Sequence, residues 1–348
     1  MRKFDYTFLK VGNVPANLIN ILTGIYSMCE IDNQRQSSYK TIYTELEKVA
    51  KVQSIKSSNA IEGIVTSDER INAIVNQNSA PLNHSEQEIA GYRDALNLIH
   101  NNYNNLQINE STLLDLHKIM LSKSDPNRAG YYKDSDNVIL EVKNDGTRHI
   151  RFKPISASET KEAMEQLILA YIEASNDSSI NSLLLIPCVI LDILCIHPFN
   201  DGNGRMSRLL SLLLLYKAGF NAVKYISFEE QINKEKWQYY EALRKSSDGW
   251  HENKNDYFYF ISNFLFTLFT CYQELDKRFA VINSKKINKT SRIEATVLNA
   301  VVPISKKEIC EILPDISPST VEFVLGKMLK EQKITKIGES KNTRYYRN

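Results

Sequence analysis

A compact set of residues that could act together in one reaction lies within twelve consecutive residues, 197–208, which read HPFNDGNGRMSR. The turn at 202–204 comes directly before an apolar segment that predicts a helix. Such a turn points successive backbone N–H groups at one spot, and the helix dipole adds positive potential there. Arg205 and Arg208 are three residues apart, so they share a helical face. The pattern predicts an anion site suited to a polyphosphate, since each guanidinium can bind oxygens bidentately.

Asp201 and His197 extend this prediction from binding to reaction. A carboxylate at Asp201 would repel phosphates, but a bridging Mg²⁺ removes that conflict, because Mg²⁺ is commonly held by carboxylates together with phosphate oxygens. His197 ends the preceding helix, and an ordinary pKa near 6.5 makes it a competent general base for a hydroxyl. Each residue alone has a structural explanation as a cap, a turn or a surface residue. Their occurrence together predicts phosphoryl or nucleotidyl transfer.

Helices must position this segment. Two apolar helices, Leu183–Ile196 and Met206–Ala218 with Gly219 as a C-cap, flank it and belong at the centre of a bundle. The motif therefore rests on a buried base. Helical spacing of apolar residues predicts further helices at Tyr39–Val52, Ser85–His100, Asn109 or Ser111 to Met120, and Ser158 or Thr160 to Tyr171.

One segment departs from the helical pattern. Residues 137–153 read NVILEVKNDGTRHIRFK, in which two β-rich runs flank Asn144, Asp145 and Gly146. This is a strong hairpin signal. A single hairpin among helices predicts a flap over a site rather than a fold-defining sheet.

The C-terminal part predicts a separate small unit. The lysine-rich segment 284–291 is typical of a linker, and helix candidates follow at 292–301, 305–313 and 317–332, with a final hairpin. This order favours a winged helix-turn-helix with the third helix in the recognition position. Basic residues at Lys327, Lys330, Lys341, Arg344 and Arg347 suit DNA, while docking of a protein or of a second copy stays open.

The segment HPFNDGNGRMSR resembles the signature of the Fic family, HxFx(D/E)GNGRxxR, at every defined position. The resemblance extends over roughly residues 40–250. It implies a mainly α fold, a Fic helical bundle with a β-hairpin flap ahead of the motif. The expected domains are an N-terminal helical region at 1–105, a catalytic core at 106–283 and the winged-helix unit at 290–348.

The resemblance also implies an activity: a protein adenylyltransferase that uses ATP and Mg²⁺ to attach AMP to a Tyr, Thr or Ser hydroxyl of a protein. His197 would deprotonate the hydroxyl, Phe199 would anchor the loop, and Asp201 would bind Mg²⁺. The residues implied to contact the nucleotide are Asp201, Gly202, Asn203, Gly204, Arg205, Arg208, Tyr239, Tyr240 and Ser247. Those implied to dock an extended target segment on the flap are Val138, Ile139 and Leu140.

Residues 58–63, SNAIEG, resemble the family's inhibitory motif (S/T)xxxE(G/N), which a short helix carries into the nucleotide site. By this resemblance Glu62 pairs with Arg208 and takes the place of the γ-phosphate interaction. Ser58 lies four residues earlier on the same helical face, and Gly63 follows as a helix stop. The prediction is low basal activity.

Bulk properties agree with a globular protein. The chain has 348 residues, 43% hydrophobic and 24% charged, with a net charge of +2, which points to neither nucleic acid nor membrane as a global partner. Five scattered cysteines, and the lack of a signal-peptide pattern or a spanning segment, predict a cytoplasmic protein without a membrane partner.

Alternatives stay open at this point. The chain could carry out another Fic-fold transfer, such as phosphorylation, phosphocholine transfer or AMP removal. It could instead be a DNA-binding regulator that senses nucleotide. The identity of the target protein, modification of the chain by itself, and formation of a homodimer are likewise left open.

Overall fold

The architecture is mainly helical in a computed structural model that describes residues 2–11, 13–142, 147–283, 289–298, 300, 303–313, 316–338 and 343–348. The helices are α1 Phe8–Val11, α2 Ala16–Ser38, α3 Lys40–Ile61, α4 Asp68–Gln77, α5 His84–Asn102, α6 Glu110–Leu121, α7 Ala157–Ser175, α8 Ser182–Ile196, α9 Asn203–Lys217, α10 Ala222–Tyr225, α11 Phe228–Lys234, α12 Lys236–Ser247, α13 Phe258–Asn283, α14 Lys289–Leu298, α15 Lys306–Ile312 and α16 Pro318–Lys330. The strands are β1 Ile139–Val142, β2 Arg148–Phe152, β3 Ile304–Ser305, β4 Ile334–Ile337 and β5 Arg344–Arg347.

The two apolar helices α8 and α9 form the centre of the fold, which confirms the predicted core pair. Nearly every side chain of both is buried, and α8 packs against α7, α9 and α13 while α9 packs against α5. Helix α9 begins at Asn203, three residues before the predicted start. Gly202 is its N-cap with φ 80°, so Asn203 and Gly204 belong to its first turn. The N–H groups of that turn have no partner within the helix.

Helix α3 continues well past the predicted end at Val52 to Ile61, so Glu62 ends a helix of 22 residues rather than a short one. The extension was not predicted because polar residues face the interior. Ser54 is buried and hydrogen-bonded to Ser227 (Oγ–Oγ 2.8 Å) ahead of α11, and Ser57, Ser58 and Asn59 are buried too. A pattern of apolar spacing cannot find a helix whose buried face is polar.

Helices α5 and α6 approach each other closely at Gly91. A Cβ atom at that position would lie 1.9 Å from the carbonyl oxygen of Met120, which is backbone and cannot rotate away. Only glycine permits this spacing, and α6 carries His117, which supports the motif loop described below.

We expect Gly91→Ala to lower the free energy of unfolding by about 1–3 kcal/mol or more, because the new methyl group forces two packed helices apart. Gly326→Ala is the matched control, since Gly326 is also helical but a Cβ there meets no atom within 4 Å. Thermal unfolding would measure both. Unchanged unfolding of Gly91→Ala would contradict the close packing, while Gly326→Ala should not lower the midpoint.

The predicted hairpin forms. Strands β1 and β2 pair antiparallel, with Leu140 opposite Ile150 and Ile139 opposite Phe152. Between these two pairs the register shifts, so one residue of β2 has no partner on β1. The predicted turn at Asn144, Asp145 and Gly146 lies outside the described residues.

The C-terminal elements lie in the predicted order: α14, β3, α15 and α16, then β4 and β5, with an antiparallel sheet of order β3-β5-β4. Ser305 and Glu308 form a capping box for α15, and Ser317 caps α16. Helix α14 begins at Lys289, so the end of the predicted linker is helical instead. Lys341 lies outside the described residues, and binding of DNA or of a second copy stays a prediction.

No helix in the described part of the chain has the length and apolar character needed to cross a membrane.

Candidate active site

A cavity of about 360 Å³ lies where the flap, the end of α3, the end of α8, the first turn of α9, and α12 meet. The residues predicted from the sequence that line it are Glu62, Ile139, Leu140, His197, Gly204, Arg208, Tyr239, Tyr240 and Ser247. Those that the sequence did not single out are Arg151, Phe152, Leu191, Leu194, Cys195 and Leu243. The predicted residues Ser58, Gly63, Val138, Asp201, Gly202, Asn203 and Arg205 are not among its lining residues.

His197 directly follows α8 in the left-handed conformation, with φ 52° and ψ 61°. Its Nδ1 lies 3.3 Å from the carbonyl oxygen of Leu194. A carbonyl only accepts, so Nδ1 carries the proton and Nε2 is the basic nitrogen of the neutral ring. Burial lowers the pKa of His197 to about 4. The ring is therefore neutral at pH 7, which is the state that a general base needs.

The loop after His197 is closed by Asn203. Its side-chain oxygen accepts from the backbone N–H of Phe199 (2.9 Å), and its amide nitrogen donates to the carbonyl of the same residue (2.8 Å). Phe199 is buried and stacks on the ring of His117 at 3.8 Å. The side chain of Asn203 thus shapes the loop, and only its backbone N–H is left for a ligand.

Two further residues hold the loop from outside the motif. His117 accepts from the N–H of Gly130 (3.0 Å) at Nδ1, so its Nε2 donates to the carbonyl of Asp201 (3.1 Å). Lys133 donates from Nζ to the carbonyl of Ile196 (3.1 Å), beside His197. Burial lowers the pKa of His117 to about 4 and that of Lys133 to about 8. No sequence pattern marks either residue, because their partners are distant in the chain.

The first turn of α9 faces the carboxylate of Glu62. A Cβ atom at Gly204 would lie only 2.2 Å from Oε1 of Glu62, so glycine is needed for this approach. A carboxylate at a helix N-terminus is stabilised by the free N–H groups and the dipole. Glu62 therefore occupies the place where the sequence predicts an anion to bind.

Arg208 completes this contact. Its buried guanidinium donates from Nη2 to Oε1 of Glu62 (2.7 Å) and to the carbonyl of Ser58 (2.9 Å), and from Nε to the hydroxyl of Ser58 (2.8 Å). Gly63 follows with φ 81°. The structure thus brings Ser58, Glu62 and Arg208 together, although some 150 residues separate the two segments in the sequence.

Arg205 has different partners from Arg208, although the two are three residues apart. Its Nη2 pairs with Glu88 (Oε1, 3.0 Å) and with Asp201 (Oδ2, 3.2 Å). Its Nε and Nη1 are buried and have no hydrogen-bond partner. An arginine with unused donors beside a helix N-terminus suits an anionic ligand.

The donor set also fits Mg²⁺. The Asp201 carboxylate is 60% exposed, so it can take a ligand. The described residues hold no group of three or more His, Cys, Asp or Glu side chains that could bind a metal on their own. One accessible carboxylate matches the way Mg²⁺ binds, through few protein ligands and mostly phosphate or water oxygens.

Comparison with known proteins agrees with this geometry. Residues 107–215 match the model of the Fic/DOC family. The chain is 27% identical over 209 residues to "Protein adenylyltransferase Fic" of Nematostella vectensis, which covers 58% of this chain and 44% of that protein. It is 25% identical over 117 residues to "Protein adenylyltransferase fic-1" of Caenorhabditis elegans, covering 34% of this chain and 21% of that one. The chain thus spans less than half the length of these curated relatives.

Among solved structures, a Fic family protein from Desulfovibrio desulfuricans superposes with a TM-score of 0.63 at 18% identity, covering 97% of both chains. A Fic domain containing signaling protein from Bacteroides thetaiotaomicron gives 0.61 at 20% identity, over 73% of this chain and 94% of that one. At such identity these likenesses establish the fold alone. The family match extends from α6 through the flap to α9 and so includes the motif loop, and this part of the chain is similar to the Fic/DOC family.

Proposed function

We propose that this chain is a protein adenylyltransferase that transfers AMP from ATP to a Tyr, Thr or Ser hydroxyl of a protein, and that Glu62 restrains it. The observation that carries the proposal is one cavity that is lined both by the half-buried His197 and by the first turn of α9, where the carboxylate of Glu62 lies against Gly204. The names of the curated relatives point to the same reaction.

In the reaction we propose, the target hydroxyl oxygen attacks the α-phosphorus of ATP. The bond from the α-phosphorus to the bridging oxygen breaks, and pyrophosphate leaves. The hydroxyl proton passes to Nε2 of His197, the ring nitrogen left free by the contact between Nδ1 and Leu194. A neutral imidazole is ready for this step without first losing a proton.

The phosphates would be held by the N–H groups of the first turn of α9 and by Arg208, while the buried Arg205 would add positive charge beside them. Mg²⁺, when bound by Asp201 together with phosphate oxygens, would neutralise the charge that develops on the leaving group. The adenosine would extend along α12, where Tyr239, Tyr240 and Ser247 line the cavity.

The flap supports a protein as the substrate. Val138, Leu140 and Ile150 are 44%, 49% and 60% exposed, an unusual amount of apolar surface for one short hairpin. Leu140 and Ile150 are directly opposite each other across the two strands. Such a surface beside the cavity suits an extended segment that pairs with a strand and places its hydroxyl next to His197.

The restraint follows from shared partners. Glu62 takes one N–H donor of Arg208 and lies within van der Waals distance of Gly204, so a γ-phosphate cannot use both at the same time. ATP would either bind with its phosphates displaced or have to separate an ion pair in which Arg208 is buried.

We expect Glu62→Gly to gain mass equal to one or more AMP units after incubation with ATP and Mg²⁺, while the wild type gains little. Intact mass spectrometry measures modification of the chain itself, and labelled ATP with a cell lysate tests other targets. Glu331→Gly is the matched control, because Glu331 also follows the end of a helix, α16, and is not a lining residue of the cavity. The proposed function would be contradicted if the mass of Glu62→Gly stayed unchanged and no protein of the lysate became labelled.

A further inference from the structure

Arg151 lies on the flap at the point where the hairpin register shifts. Ile150 is opposite Leu140 and Phe152 is opposite Ile139, so Arg151 is the extra residue of a β-bulge. A bulge changes the direction of the side chain it carries. Here Arg151 lines the cavity, together with its neighbour Phe152.

The guanidinium of Arg151 has no protein partner within the described part of the chain. It forms neither a hydrogen bond nor an ion pair there, and its Nε is buried without an acceptor. Burial lowers the pKa of Arg151, so removal from water disfavours its charge. Arg208, in the same cavity, instead has Glu62 and Ser58 as partners. Glu141 of β1 acts on the charge of Arg151 but pairs with His149 instead, so the guanidinium keeps donors for which a ligand can supply the acceptors.

The surroundings of Arg151 differ from those of the phosphate end. The charge of Arg151 acts on Tyr240 of α12, and Cys195 of α8 is among its near neighbours. Leu243 and Phe152 add apolar surface to the cavity wall. A cation beside apolar and aromatic walls suits a flat aromatic ring that carries acceptor atoms on its edge. A guanidinium can stack on such a ring and can donate hydrogen bonds to its nitrogens and carbonyl oxygens.

We propose that Arg151 contacts the nucleobase of the bound nucleoside triphosphate, where its own contribution to binding is larger for GTP than for ATP. The inference rests on the proposed function, which places the phosphates at α9 and leaves the far part of the cavity for the base. Arginine has donors only, so it favours a base edge with two acceptors. Guanine presents O6 and N7 side by side, whereas adenine presents N7 beside an amino group. Arg151 therefore favours GTP over ATP at its own contact.

The test compares Arg151→Met with its parent in a Glu62→Gly, His197→Ala background, so that the restraint is absent and no transfer consumes the ligand. Methionine keeps the unbranched shape and removes the charge and donors. Calorimetry with Mg²⁺ would give the Kd for GTP, ATP and inorganic tripolyphosphate. We expect the Kd for GTP to rise about 10-fold or more, the Kd for ATP to rise less, and the Kd for tripolyphosphate to stay unchanged.

Arg344→Met is the matched control. Arg344 is an exposed arginine of β5 that pairs with Glu308 and is not a lining residue of the cavity, so its loss should not change any of the three constants. An equal rise for all three ligands would make Arg151 a phosphate contact and overturn the inference. Unchanged constants for both nucleotides would overturn it as well. If the parent bound none of the three ligands, the proposed function itself would fail. If the parent bound them and Arg151→Met did not change the constants, only the inference about Arg151 would fail.

Discussion

Replacing His197 with alanine in the Glu62→Gly background is expected to slow AMP transfer by about 10²–10⁴-fold, the usual contribution of a positioned general base. The hydroxyl would then have to lose its proton to water in a cavity from which most water is excluded. The affinity for ATP should change little, because His197 is not among the groups that would hold the phosphates. Initial rates and the Kd for ATP measure the two effects separately.

The same histidine predicts an unusual pH dependence. Because burial lowers the pKa of His197 to about 4, the ring stays neutral, and able to accept a proton, throughout the range above that value. The rate of the Glu62→Gly variant should therefore be flat between about pH 6 and 8, without the limb near 6.5 that an exposed histidine gives. It should fall only as the pH approaches 4, where protonation removes the base.

His84→Ala is the control for general effects of losing a histidine, since the His84 side chain is 68% exposed and lies outside the cavity. A loss of less than 10-fold in His197→Ala would contradict the role of His197 as the base. A rate limb near pH 6.5 in the parent would show instead that the ring titrates as if it were in water.

The motif and the two buried helices that support it could be predicted from the sequence because their signals are local. The turn at 202–204 and the helices α8 and α9 are continuous in the chain, and their apolar character is strong enough to place them in the core. The hairpin and the C-terminal helices follow from short patterns of turn and cap residues, such as Ser305 before α15 and Ser317 before α16.

The parts that could not be predicted depend on pairings between distant residues. Arg205 was expected to act with Arg208, but it pairs with Glu88 on α5. The role of Lys133 depends on a carbonyl more than sixty residues away, and Arg151 enters the cavity only because of a shift in strand register. Contacts of this kind leave no periodic pattern and no fixed residue spacing in a single sequence.

Two long helices that pack against each other, α2 and α13, were also missed. Helix α2 has few buried residues and so lacks a marked apolar face. Helix α13, in contrast, is rich in apolar residues, and its start is marked by Asp256, whose carboxylate accepts a hydrogen bond from the N–H of Phe258 (2.8 Å). Helices α2 and α13 pack against each other, and α13 also packs against α8. These are tertiary contacts, which local sequence patterns do not show.

Asp192 is the second residue for which a large effect is expected. It is fully buried on α8, five residues before His197, and accepts hydrogen bonds from Tyr6 (2.8 Å), Trp250 (2.6 Å) and Tyr257 (3.0 Å). Arg2 lies 3.5 Å away and stacks over the ring of Trp250. One carboxylate thus joins the N-terminal segment and the segment after α12 to the helix that carries the candidate base.

Asp192→Ala should lower the free energy of unfolding by about 3–5 kcal/mol, because three buried donors lose their acceptor and Arg2 is left as an unpaired buried charge. Transfer should slow too, since Trp250 packs against Phe152 at the base of the flap. Urea unfolding measures the first effect, with Asp115→Ala on the exposed face of α6 as the control, expected within about 0.5 kcal/mol of wild type. Asp192→Asn keeps the shape and one acceptor oxygen, so its loss in free energy of unfolding should lie between the losses of Asp192→Ala and Asp115→Ala. A loss below about 1 kcal/mol in Asp192→Ala would mean that the donors find other acceptors, and the network would then not be what holds the flap over His197.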